Sequence, residues 1–401
     1  MGNYGRKPAP EAAMVANEIL QTILSWANRV LPEPCEPASP DLPSFKKPQS
    51  ILIVPSKFIG DNVLLIPFIR NLRHNLGPSA RIDLVTTPVI HSLYETLLWL
   101  DHVYLEKQHQ PANPRLFLEA QGYDTIFFTR YSLYWGTAAR QAKLPQRVGF
   151  DLERLGIHGL KYWGRCLTHP IPSTSLLDQR PQVELYLDLL REVGLSVSDS
   201  HLECPLREAD HTRAEALLRP ALPGETNNTP RILIQAASGS PGKQWPDENW
   251  RQLLRLLHEW LAPVFIVTGS QREQGAYEEW EREFPLRNLC GQTSLRETLA
   301  VMQRVDLVIT LDTSTAHLAA LAGSPRLVVL YGPTNQSQWR PQVQPGTALR
   351  QVYLDLPCRP CPARTCEHRS CLRQLGVANV MAAIQDCYRE KPAFSPAFQD
   401  F

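Results

Sequence analysis

The chain has 401 residues, 43% of them hydrophobic and 20% charged, with a formal net charge of +1. That length predicts two domains, and the composition is that of an ordinary soluble globular protein. The near-zero charge excludes a large nucleic-acid footprint, and no apolar run reaches the length needed to span a bilayer.

Elements follow in chain order. The start, Met-Gly-Asn-Tyr-Gly-Arg-Lys, lacks the charged-then-apolar order of a secretory signal, and Arg6 stands where a myristoylation site wants Ser or Thr. Residues 11–30 repeat apolar positions at helical spacing, and a Pro-rich linker over 32–48 ends that helix. Its polar face is neutral and acidic rather than basic, which favours docking on the protein over lying on a membrane. Residues 1–48 are therefore expected to form an accessory helix and tether.

A first α/β unit is expected over 49–205. Its strands fall at 51–55, 81–86 and 124–129, with helices over 62–75 and 183–192. The alternation weakens after Phe150, where Gly, His and Pro interrupt it. A second unit, 206–376, repeats the rhythm. Its strands are expected at 231–235, 264–268, 288–290, 306–310 and 326–330, and its helices at 247–259, 271–283, 294–304 and 315–322. A final helix over 377–388 opens the tail, 377–401. Strands alternating with helices predict two parallel sheets, with a ligand cleft at the carboxyl ends of their strands.

Four loops leave these strands with chemistry in them. Asp61, after Gly60, either caps a helix or presents a carboxylate to the cleft. Ser238-Gly239-Ser240-Pro241-Gly242-Lys243 offers backbone N–H groups and one point charge to a phosphate, although it lacks the Ser or Thr of a Walker loop. Glu273, four residues after Gly269, suits either a ribose hydroxyl or a helix start. The segment Asp312-Thr313-Ser314-Thr315-Ala316-His317 sets hydroxyls and a His where a helix begins, a ready anion site. The turn Gly332-Pro333-Thr334 ends the next buried strand in the same way.

Nine cysteines are an odd number, which argues against a fully paired framework. Cys358, Cys361, Cys366 and Cys371 cluster late. The first two have C-x-x-C spacing, so zinc or iron is one reading and a set of reduced thiols is the other. No G-x-G-x-x-G follows an early strand, which excludes an NAD-dependent oxidoreductase.

Four motifs occur in one order: Ile59-Gly60-Asp61…Pro67, Gly242-Lys243-Gln244-Trp245-Pro246…Trp250, Asp312-Thr313-x-x-x-His317-Leu-Ala-Ala, and Tyr331-Gly332-Pro333-Thr334…Trp339-x-Pro341. This combination, over about residues 50–390, resembles the family 9 glycosyltransferases, the heptosyltransferases of lipopolysaccharide core assembly. The late Cys-Pro-x-Arg-x-Cys…Cys-Leu stretch resembles members of that family too.

The resemblance implies a GT-B fold, in which a first Rossmann-like domain holds the acceptor and a second holds an ADP-sugar donor. It assigns Asp61 as catalytic base and Lys243 as the cation facing the donor phosphates. Glu273 becomes the acid near the ribose, and Asp312, Thr313, Ser314, Thr315 and His317 the diphosphate-binding helix start. Ser238, Gly239 and Gly242 complete the donor loop. The family usually has Gly where this chain has Ser314; a hydroxyl there either crowds the phosphate or donates to it.

The implied reaction is an inverting, metal-independent transfer with no cofactor beyond the nucleotide-sugar co-substrate. Its partners are that donor and a glycolipid or glycan acceptor. The implied place is the cytoplasm, with peripheral contact at the inner membrane. Basic and aromatic residues over 130–147 and 150–165 either meet an anionic acceptor or form ordinary surface. A non-catalytic nucleotide-sugar-binding protein on the same fold is the alternative.

Overall fold

The computed structural model describes residues 44–106, 113–151, 161–172, 180–219, 222–361, 366 and 368–390. The expected accessory helix, and the expected linker as far as residue 43, lie outside the described residues; residues 44–48 run without helix or strand along the first sheet, where the Lys46 N–H donates to Gln146 Oε1 at 2.6 Å.

Two six-stranded sheets carry the fold, and every strand pair in them is parallel. The first holds β1 (Ser50–Val54), β2 (Arg81–Thr86), β3 (His102–Leu105), β4 (Thr125–Phe128), β5 (Gln146–Asp151) and β6 (His169–Pro172), in the order β3-β2-β1-β4-β5-β6. The second holds β7 (Arg231–Gln235), β8 (Val264–Val267), β9 (Leu286–Asn288), β10 (Leu307–Leu311), β11 (Arg326–Leu330) and β12 (Ala348–Val352), in the order β12-β11-β10-β7-β8-β9. Both sheets share the order in which strand sequence reverses beside the first strand. Each sheet therefore has its switch point there, between β1 and β4 and between β7 and β10.

Continuous apolar runs make the central strands, because both faces are covered. In β1, Ile51 and Ile53 enter one core cluster while Leu52 and Val54 enter another across the sheet. In β10, Val308 faces one way while Leu307, Ile309 and Leu311 face the other. One of these clusters contains residues of both halves, Ile53 and Leu84 with Leu233 and Val308. The two halves thus share a continuous apolar core.

Eight helices position the site or join the halves. They are α1 (Ile59–Leu64), α2 (Ile66–Leu76), α3 (Pro88–Tyr94), α4 (Gln182–Arg191), α5 (Glu208–Leu218), α6 (Leu295–Met302), α7 (Ser314–Ala322) and α8 (Val377–Arg389). The single helix expected over 62–75 is two. Pro67 lies in the first turn of α2, where its missing N–H costs nothing, whereas inside a continuous helix it would remove a bond and clash with the preceding turn. The helix expected over 271–283 is a 3-10 turn, Gln271–Tyr277, followed by an α-helix, Glu278–Glu283.

The halves meet at several places. Helix α1 packs on α7, and α3 packs on α6. On α6, buried Arg296 donates from Nε to Asp210 Oδ2 at 3.0 Å, and from Nη1 to Glu95 Oε2 at 2.6 Å and to the Ser92 carbonyl at 2.7 Å. A further contact lies at the start of α4, where the Gln182 N–H donates to the Gln338 carbonyl at 2.8 Å.

Candidate active site

The carboxyl end of β1 feeds a tight loop into α1. Phe58 is the N-cap and gives no side-chain cap, so Asp61 is not the capping residue but lies in the first helical turn. A carboxylate is favoured there by the helix dipole. Both of its oxygens are held: Ser56 Oγ donates to Oδ2 at 2.7 Å and Tyr186 OH donates to Oδ1 at 2.8 Å. The loop is fixed from behind by Asn62, whose Nδ2 donates to the Ser56 and Phe58 carbonyls at 2.8 and 2.6 Å. Asn62 Oδ1 in turn accepts from Tyr94 OH at 2.6 Å. Burial and the nearby Asp61 charge raise the Tyr94 phenol well above its ordinary value, so it remains a donor.

Across the cleft, the loops after β7 and β10 meet. Lys243 closes a short 3-10 turn, Pro241–Lys243. Its Nζ donates to Asp312 Oδ2 at 2.9 Å and to the Asp312 carbonyl at 3.1 Å. Asp312 is buried, and its Oδ2 also accepts from the Thr334 hydroxyl. The Gly332–Thr334 turn is braced by Arg359, which donates from Nε to the Gly332 carbonyl at 2.6 Å and from Nη2 to the Thr334 carbonyl at 3.0 Å.

Helix α7 begins at Ser314 with Thr313 as its N-cap, the Thr313 hydroxyl accepting from the Thr315 N–H at 3.4 Å. Thr313 and Ser314 are half-buried, while Thr315 and His317 are buried. Two hydroxyls, of Thr313 and Ser314, thus remain partly accessible at the start of this helix.

His317 lies at one of the contacts between the halves. A Cβ placed on Gly60 would come within 2.9 Å of His317 Cδ2 and 3.6 Å of Ser314 Cα. Only a glycine permits that approach. The His317 ring meets Trp339 edge-on at 6.4 Å, and its buried Nδ1 has no hydrogen-bond partner among the described residues. Burial lowers its basicity and Lys243 adds to the effect, while Asp312 and Asp61 act against them; the net shift is downward, towards the neutral ring. Asp61, His317, Asp312 and Lys243 thus form one electrostatic cluster across the two halves.

The remaining expected residues fall around it. Ser238, Gly239 and Gly242 line the loop that carries Lys243, and Gly239 is exposed with open space beside its Cα. Glu273 is largely occupied: Oε2 accepts from the Ser270 N–H and hydroxyl, each at 2.7 Å, and Oε1 accepts from Gln235 Nε2 at 3.3 Å. It therefore closes a capping box rather than projecting freely.

Of the basic residues expected on the first half's loops, Arg147 is pinned to the Cys166 and Leu144 carbonyls and serves the fold. Arg130 instead stacks at 5.0 Å on Phe58, which is 63% exposed and three residues before Asp61. Cys358, Cys361, Cys366 and Cys371 are unpaired thiols. Among the described residues no group of three or more His, Cys, Asp or Glu side chains is placed to hold a metal, and no helix is long and apolar enough to cross a membrane.

Sequence reasoning missed Tyr186, Ser56 and Arg359. Tyr186 and Arg359 carry no local signature; each reaches the site only through the tertiary fold. Ser56 lies in the loop before Asp61, and its hydroxyl two residues before a helix cap was the available hint.

With this geometry in view, comparison with known proteins gives one answer. The family model described as glycosyltransferase family 9 (heptosyltransferase) matches residues 117–371. Lipooligosaccharide heptosyltransferase 2 of Campylobacter jejuni serotype O:2 is 33% identical over 150 residues, 36% of this chain and 46% of that protein. The chain spans about half the length of such curated relatives. Among solved structures, a family 9 glycosyl transferase from Veillonella parvula superposes with a TM-score of 0.68 at 17% identity, covering 86% of this chain and 98% of the other. The E. coli ADP-heptose lps heptosyltransferase II does so with a TM-score of 0.64 at 18% identity, covering 84% and 98%. These likenesses bear out the GT-B fold.

Proposed function

Because the chain belongs to glycosyltransferase family 9, we propose that it moves a sugar, heptose, from an ADP-linked donor to a lipopolysaccharide-core or other cell-envelope glycan acceptor. The transfer inverts the anomeric centre and uses no metal. The observation that carries this reading is the facing of Asp61 and the Lys243–α7 cluster across one cleft, at the switch points of both sheets. The structurally similar E. coli protein is an ADP-heptose lps heptosyltransferase, which supports the choice of donor.

In the proposed reaction Asp61 takes the proton of an acceptor hydroxyl as that oxygen attacks the anomeric carbon from the face opposite the leaving group. The bond from that carbon to the diphosphate oxygen breaks, and the nucleoside diphosphate leaves with the electron pair. Lys243, the Thr313 and Ser314 hydroxyls and the first amides of α7 receive the growing charge, each such donor being worth roughly 3 kcal/mol in the barrier. Lys243 reaches the phosphate by sharing its ammonium between phosphate and Asp312, which holds it in place at 2.9 Å. One fixed cation and a helix-start dipole supply here the charge that a divalent ion supplies elsewhere. Phe58 and Arg130 form an aromatic and basic ledge beside Asp61 suited to an anionic sugar acceptor.

The test is a panel of ADP-, UDP- and GDP-sugars, scored for thermal stabilisation and for product on a lipopolysaccharide-core acceptor. The reading expects ADP-heptose to stabilise most and to give product of inverted configuration without added metal. Binding without product would favour a non-catalytic nucleotide-sugar-binding protein, and preference for a UDP- or GDP-sugar would overturn the donor assignment.

A further inference from the structure

Asp61 receives one donor from its own loop and one from far away in the sequence. The second is Tyr186, buried on α4. A carboxylate with one fixed donor on each oxygen cannot rotate, and each oxygen keeps a lone pair for a substrate hydroxyl. Gln182 opens the same helix, one turn before Tyr186.

Gln182 is itself held by the other half of the chain. Its N–H donates to the Gln338 carbonyl at 2.8 Å, and Gln338 Nε2 donates to Gln182 Oε1 at 3.1 Å. Gln338 belongs to the loop after β11, and the same loop sends the Thr334 hydroxyl to Asp312. The donor-side loop therefore grips the start of the helix whose next turn carries the phenol on the Asp61 carboxylate.

We propose that Tyr186 is a positioning residue for the base, and that Gln338 and Gln182 make its alignment depend on the seating of the second half against the first. This rests on the reading of Asp61 as base. Orientation of the general base is then coupled to docking of the halves, so the base is aligned when the donor loops are in place. The groups facing the carboxylate and the phenol are Ser56 and Tyr94 from the first half, with His317 beside Asp61 from the second.

The experiment compares the full-length protein with Tyr186→Phe, Gln338→Met and Asp61→Asn, measuring kcat, donor KM and the pH profile of kcat/KM. Removing a charge-assisted hydrogen bond predicts that Tyr186→Phe lowers kcat about 10- to 100-fold. Donor KM should stay within about twofold, and the acidic limb of the profile should move. Gln338→Met should show a smaller loss in kcat with the same unchanged donor KM.

A Tyr186→Phe enzyme with normal kcat and an unmoved profile, beside an inactive Asp61→Asn, overturns the positioning role alone. A loss that appears wholly in donor KM overturns it as well. Full turnover by Asp61→Asn overturns the reading of the base, and the proposal with it. Should the phenylalanine variant not fold, Gln182→Met, which keeps the phenol and the backbone bond to Gln338, is expected to lower kcat at constant donor KM; an unchanged kcat there overturns the relay.

Discussion

Replacing Gly60 by alanine adds one methyl group where α1 packs on α7. Two effects compete. In a helix, alanine is favoured over glycine by about 0.5–1 kcal/mol, so α1 alone would gain. Against this, the new Cβ would lie 2.9 Å from His317 Cδ2, whereas carbon atoms rest at about 3.5–4.0 Å. Either the buried His317 ring, which meets Trp339 edge-on at 6.4 Å, or the helices themselves must give by about 0.5–1 Å.

Overpacking of this kind costs about 1–3 kcal/mol, which exceeds the helix gain. Thermal unfolding should therefore occur a few degrees lower, at about 2–4 °C per kcal/mol for a unit of this size. The larger effect is on turnover. A base displaced by about 1 Å loses up to about 100-fold, so a loss of roughly tenfold in kcat is expected with donor affinity little changed. Steady-state kinetics and calorimetry on the same preparation read both. An alanine variant as active and as stable as the parent would refute the tight apposition of α1 and α7.

Two further substitutions probe the donor side. Lys243→Met should lower kcat by about 100-fold or more through loss of a phosphate-facing cation. It should also lower stability by about 3 kcal/mol, because Asp312 stays buried with a carboxylate stripped of its cation; kinetics and denaturant titration check the two.

His317→Gln tests the neutral ring. In the folded chain burial holds this ring below its ordinary value of 6.5. Between that value and the lowered one, the unfolded state binds the proton first, so stability falls as pH drops below about 6.5, by up to about 1.4 kcal/mol per unit. Above about 6.5 the residue adds no pH dependence. Melting temperatures across pH 5–8 should fall more gently on the acid side in the glutamine variant.

The central strands were legible because both their faces are buried. Ile51-Leu-Ile-Val, Arg231-Ile-Leu-Ile and Arg326-Leu-Val-Val-Leu read as strands from composition alone. β3, β6 and β12 did not. They are edge strands, half-exposed and interrupted by polar residues, and β6 contains Pro170 and Pro172, which only an edge tolerates. β5 was hidden by its polar start, Gln146-Arg147, and by Gly149.

The site shows the same division. Asp61, Lys243 and the Asp312–His317 run follow buried strands, where a parallel sheet concentrates ligand groups, and the structure gathers them. Tyr186 and Arg359 act across sequence separations of 125 and 25–27 residues, which no local pattern reports. From sequence Gly60 reads as part of a tight loop. Its actual constraint, the contact with His317, belongs to the packing of one half on the other.

Everything proposed for this site depends on Asp61 being the base of a sugar transfer. The most direct measurement is product formation from ADP-heptose by Asp61→Asn, with donor affinity measured by calorimetry on the same protein. The account predicts turnover reduced at least about 100-fold, as removal of a general base requires, with donor affinity nearly that of the parent. Normal turnover by the asparagine variant would contradict it.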